Sequence, residues 1–120
     1  MQLQIETKQS DRVGIIRCDG RVIFGPETDA LRSTANELME ANPKLLIDLS
    51  RVRTIDSCGV GALVGIMVSA RNRGGDLRIV QPSDKVNDVL RVTGLHTVFV
   101  RFATIEQGTA SFDSPVGITA

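Results

Sequence analysis

The run Asp56-Ser57-Cys58-Gly59-Val60-Gly61 places a carboxylate, a hydroxyl, a thiol and two glycines within six residues. A serine beside a carboxylate can act as a nucleophile, a thiol at a helix start can have a lowered pKa, and glycine lets backbone approach a ligand closely. A nucleophile elbow, G-x-S-x-G, needs glycine two residues before the serine and two after. Gly59 satisfies the second position, but Ile55 occupies the first, and the sterics of that turn count against hydrolysis. The single histidine, His96, lies in Gly94-Leu95-His96-Thr97, and no motif ties it to Ser57 as a base. The spacing Gly59-x-Gly61-x-x-x-Gly65 is one residue too long for a dinucleotide fingerprint, and Asp76 stands only loosely where a ribose-binding acid would.

The same residues have plain structural roles. Asp56 and Ser57 ahead of an apolar helix are ordinary N-cap residues, whose oxygens accept orphan backbone N–H groups. Gly59, Gly61 and Gly65 are expected to let the helix lie close to a strand, although an interior glycine costs ~1 kcal/mol relative to alanine. Cys58, a small thiol, is expected to be buried. On residue physics alone these roles outweigh the chemical ones.

The elements that must position this segment follow from periodicity. Leu3 to Lys8 alternates apolar and polar, and Val13 to Cys18 is a second β-rich run after the Ser10-Asp11-Arg12 turn, so a hairpin opens the chain, with Asp19-Gly20 breaking its second strand. Gly25-Pro26-Glu27 starts a helix whose apolar stripe runs from Ala30 to Met39 and stops at Asn42-Pro43. Lys44 to Leu49 is nearly continuous in apolar residues, the pattern of a central strand covered on both faces. A second helix follows to Arg73 and ends at Gly74-Gly75, Leu77 to Val80 is a strand, and Pro82-Ser83-Asp84 opens a third helix closed by Gly94. Val98 to Phe102 reads as a last strand and Thr104-Ile105-Glu106-Gln107 as the start of a short final helix, with 114–120 expected to fray. The order predicts one α/β domain over 1–120, with a mixed, mostly parallel sheet of about five strands and about four helices largely on one face.

The 120 residues carry fourteen basic and fourteen acidic side chains, no Trp, no Tyr and four Phe. A balanced charge without aromatic platforms argues against direct binding of nucleic acid. Cys18 and Cys58 lie far apart without metal-ligand spacing, so no metal or other cofactor is expected, and reduced thiols fit a cytoplasmic location. The start lacks a signal-peptide pattern and no stretch reaches the ~18 apolar residues of a membrane span, so membrane insertion is not expected.

Thr54 to Leu63, followed by Arg73-Gly74-Gly75-Asp76-Leu77-Arg78-Ile79-Val80, resembles the signature of STAS-domain anti-sigma factor antagonists. Gly20-Arg21-Val22, the strand Leu46 to Ser50, and Val86 to Phe99 with Thr93-Gly94-Leu95 also resemble family positions, so the likeness covers nearly the whole chain. The resemblance implies a switch rather than an enzyme. Unphosphorylated protein would bind an anti-sigma factor that is also a GHKL-type serine kinase, freeing a sigma factor. Phosphorylation of Ser57, beside Asp56, would end that binding, and a PP2C-type phosphatase would restore it. The implied partner surface is the turn from Ser57 through Cys58 and Gly59 to Val60, with the Phe24-Gly25-Pro26 loop. Phe24 and Val60 fit either a contact surface or the core. Cys58 stands where many relatives have Ser or Thr. Ile23 replaces an Asp that some relatives use in nucleotide or partner recognition, so that feature does not carry over. The family also includes STAS subunits of transport ATPases and stress-sensing scaffolds, which keep the fold and change the partner.

Overall fold

Alternating side chains in the first twenty residues build an antiparallel hairpin, β1 (Leu3–Gln9) and β2 (Gly14–Val22), with Leu3 opposite Gly20 and Gln9 opposite Gly14. In the computed structural model, which describes residues 1–113, α1 (Pro26–Ala41) then crosses to β3 (Lys44–Ile55), and α2 (Ser57–Asn72) crosses to β4 (Asp76–Val80). The remaining elements are α3 (Asp84–Val92), a 3₁₀ turn (Leu95–Thr97), β5 (Arg101–Phe102) and α4 (Ile105–Asp113). The expectation for 114–120 lies outside the described residues.

The strands stand side by side in chain order, antiparallel only between β1 and β2. The mixed, mostly parallel five-stranded sheet is therefore as predicted. β3 is central, and Leu45, Leu46, Ile47 and Leu49 have no solvent exposure. Leu45, Ile47 and Leu49 join Leu31 and Leu38 of α1, Leu63 and Ile66 of α2, and Val86 and Leu90 of α3 in one core. Leu46 points the other way, with Val13 and Val80, under Ile105 and Phe112 of α4. Three helices thus share one face and α4 covers part of the opposite one. It is held there by Arg78, which donates to Ser111 Oγ at 2.7 Å and lies 4.0 Å from the centroid of the Phe112 ring.

Three boundaries differ from expectation, the first being β3, which runs past Leu49 to Ile55 because it stays paired with β2 as far as Val22. Asp19-Gly20 does not break β2. Gly20 takes φ 124°, and an added Cβ would overlap the Gln2 carbonyl oxygen, so glycine lets the strand continue against the N-terminal segment. The final strand is only Arg101–Phe102, because Leu95–Thr97 coils into a 3₁₀ turn and Phe99 is drawn into the core.

Candidate functional site

Ser57 is the first residue of α2, where β3 hands over to the helix at the carboxyl end of the parallel strands. Such a position exposes the first helical side chains, and both Ser57 and Cys58 are exposed. The exposure of Cys58 corrects the expectation of burial. At the second helical position its side chain falls on the outer face, whereas Val60, two residues on, turns inward and is only 4% exposed. Of the two roles open to Val60, the core is the one it takes.

Asp56 organises the turn. Its Oδ1 accepts the Gly59 N–H at 2.8 Å, capping α2, and its Oδ2 accepts the Phe24 N–H at 2.9 Å from the loop before α1. The Asp56 N–H donates in turn to the Val22 carbonyl at 3.3 Å. One carboxylate therefore ties the Ser57 turn to the Phe24 loop. Desolvation raises the Asp56 pKa, but the N–H groups of Phe24, Gly59, Cys58 and Asp56 itself favour the anion more strongly, so it lies below the usual 3.8.

Phe24 is the most exposed aromatic residue of the described chain, at 75%, which places it at the surface rather than in the core. Gly25, with φ 121°, is the N-cap of α1 and swings the chain from Phe24 into Pro26. The neighbouring Ile23 is half-buried. Gly59 has the close-packing role expected of it. A Cβ there would overlap the Val22 carbonyl oxygen and come within 2.8 Å of Ile55 Cγ1. Gly61 and Gly65 do not share that role. Nothing lies within 4 Å of a Cβ at either, because both are on the outward face of α2.

Ser57 and His96 are not brought together. Arg71, in the last turn of α2, reaches the Val98 carbonyl at 3.5 Å, so the 3₁₀ turn carrying His96 lies beside the far end of that helix. Fourteen residues of helix separate Ser57 from Arg71, on the order of 20 Å at 1.5 Å per residue. Among the described residues no cluster of His, Cys, Asp or Glu has metal-binding geometry, and no helix is long and apolar enough to cross a membrane.

Comparison with known proteins decides the family of the chain. The sequence profile of the STAS domain matches residues 4–108. The chain belongs to the STAS-domain family. Its curated relatives include a Thermotoga neapolitana homolog of the protein TM1081, 36% identical over 64 residues that cover 53% of this chain and 57% of that protein. The chain thus spans little more than half the length of the relatives with that identity. The anti-sigma-B factor antagonist of Staphylococcus aureus is 26% identical over 97 residues, covering 79% of this chain and 88% of that one. Among solved structures, a Thermotoga maritima crystal structure of TM1081 aligns with a TM-score of 0.82 at 24% identity, covering 92% of this chain and 95% of that one. SpoIIAA in its unphosphorylated form aligns with a TM-score of 0.72 at 23% identity, covering 88% and 90%. At these identities the structural likenesses establish the fold.

Within this STAS domain, sequence reasoning missed the link between Asp56 and the Phe24 backbone. The two residues are 32 positions apart, and a main-chain donor leaves no mark on residue type.

Proposed function

We propose that this STAS domain is an anti-sigma factor antagonist whose binding of a serine-kinase anti-sigma factor is switched by phosphorylation of Ser57. The observation that carries the reading is the exposed Ser57 hydroxyl on a turn fastened by Asp56 to the loop bearing the exposed Phe24. A hydroxyl at the first position of a helix is reachable by a kinase, and a helix N-terminus accommodates an anion, so modification leaves the fold intact. The added group brings about −1.5 to −2 charge at pH 7 next to the Asp56 carboxylate. A partner seated on Ser57, Cys58 and Phe24 must then desolvate two adjacent anions. Each 1.4 kcal/mol of that penalty weakens binding about tenfold. Removal of the phosphoryl group by a PP2C-type phosphatase resets the surface. The relatives named as antagonists support the same reading. No step in it makes or breaks a bond of a substrate, so the domain acts as a regulator.

The test uses the whole chain as bait in native lysate, unmodified, as Ser57→Ala and as Ser57→Asp, with and without ATP, followed by mapping of phosphate by mass spectrometry. The reading requires a GHKL-type kinase retained without ATP by the first two baits and lost by Ser57→Asp, with ATP placing phosphate on Ser57 of the unmodified bait and releasing the kinase from it but not from Ser57→Ala. Equal retention of a transport ATPase or scaffold protein by all three would identify a constitutive STAS subunit and overturn it.

A further inference from the structure

The face of the sheet that α4 leaves uncovered carries an ordered array of charge. Glu6 of β1 lies opposite Arg17 of β2, which lies opposite Asp48 of β3. In the next row Gln4 lies opposite Asp19, which lies opposite Arg51. Between the pairs Arg17–Asp48 and Asp19–Arg51, β2 advances two residues while β3 advances three. This bulge brings Ser50 and Arg51 to the same cavity, where strict alternation would have sent one of them to the core.

The result is a polar cavity of about 340 Å³ whose charged lining is Glu6, Arg17, Asp19, Asp48 and Arg51. Arg17 and Arg51 stand 3.9 Å from Asp48 and Asp19, beyond the ~3.2 Å of a hydrogen bond, and neither guanidinium donates one to any described residue. They differ from Arg71 and Arg78, which bond Asp76 at 2.9 and 3.1 Å. Gln81, on the cavity rim, holds φ 49°, a left-handed conformation that costs a non-glycine residue stability.

We infer that this cavity binds a small zwitterion, of the class of a basic α-amino acid. Two guanidinium groups held only in 3.9 Å ion pairs can turn to a carboxylate, and three acidic side chains, one of them Asp48 at 16% side-chain exposure, face an ammonium group. Three acids against two bases leave one negative charge, which a ligand of net charge +1 neutralises. The cavity lining is mostly polar, with Cys18 at its floor, and protein partners require an apolar core and roughly 800 Å² per side, so a small polar solute fits the site better than a protein surface.

Titration of the ¹⁵N-labelled chain with L-lysine tests this, with 1,5-diaminopentane and acetate as probes of each charge alone. L-lysine should shift the amides of Arg17, Asp48, Arg51 and Gln81 saturably, with the purely cationic and the purely anionic probe each at least about tenfold weaker. Arg51→Gln, at a 79% exposed side chain where folding is not at risk, should weaken L-lysine about tenfold, and Ser57→Ala should leave it unchanged. Absence of saturable shifts, equal response to 1,5-diaminopentane, or undiminished binding by Arg51→Gln would overturn the assignment.

Discussion

Replacing Gly59, Gly61 and Gly65 one at a time with alanine should change stability in opposite directions along a single helix. At Gly61 and Gly65 a new methyl meets nothing within 4 Å, so the substitution only removes backbone freedom from the unfolded chain and restores helix propensity. Each should stabilise by about 0.5–1 kcal/mol, raising Tm by about 2–5 °C for a chain of this size. The double variant should gain nearly the sum, less a few tenths for neighbours one turn apart. At Gly59 the same methyl runs into the Val22 carbonyl and sits 2.8 Å from Ile55 Cγ1. Backbone cannot yield as a flexible side chain does, so the start of α2 must move away from β2. That movement strains both hydrogen bonds of Asp56. Overpacking of this kind costs about 1–3 kcal/mol, more than the gain in propensity. Urea unfolding followed by circular dichroism measures all three on one scale. Destabilisation by Gly61→Ala or Gly65→Ala, or a neutral Gly59→Ala, would refute the assignment of these glycines to opposite faces of α2.

Three further outcomes follow from the same geometry. The Asp56 pKa is lower folded than unfolded, so its contribution is fully present above the unfolded value and fades as pH falls through the native one. Asp56→Ala should lose about 1 kcal/mol of capping at pH 7 in urea melts, with the deficit shrinking below about pH 4. Cys58 is exposed, whereas burial and the nearby Asp48 push the Cys18 thiol up to about 12, so iodoacetamide at pH 8 should modify one thiol of the folded chain. Peptide mapping should find the label on Cys58, with Cys18 reacting only on unfolding. Phe112→Ala removes the ring beneath Arg78 and uncovers Leu46 and Val80, and it should cost about 1–2 kcal/mol. Hydrogen exchange should then show α4 opening ahead of α1 and α2.

Much of the fold was legible because its signals are local. Pro26, Ser83 and Asp56 mark helix starts through backbone chemistry that acts within one turn, and the apolar run from Leu45 to Leu49 announces a strand covered on both faces. The likeness to a known family singled out Ser57, and the structure places it at the exposed start of α2.

What only tertiary structure decided depends on which face or neighbour a residue meets. Composition treats Gly59, Gly61 and Gly65 alike, yet the contact with Val22 exists only once the first turn of α2 meets the end of β2. Cys58 and Val60 are small neighbours on one turn, and the direction of the helix axis sends one to solvent and the other to the core. Gly20 reads as a breaker until the Gln2 carbonyl is seen to occupy the space where a Cβ would be. Arg51 joins Asp48 on the open face through a bulge whose position is set by pairing with β2. The sequence by itself determined the elements, their order and the serine at the head of α2, since propensity, capping and periodicity act between residues close in the chain. The tertiary structure decided the tie from Asp56 to Phe24 and the array on the uncovered sheet, since both join residues brought together only when the strands align.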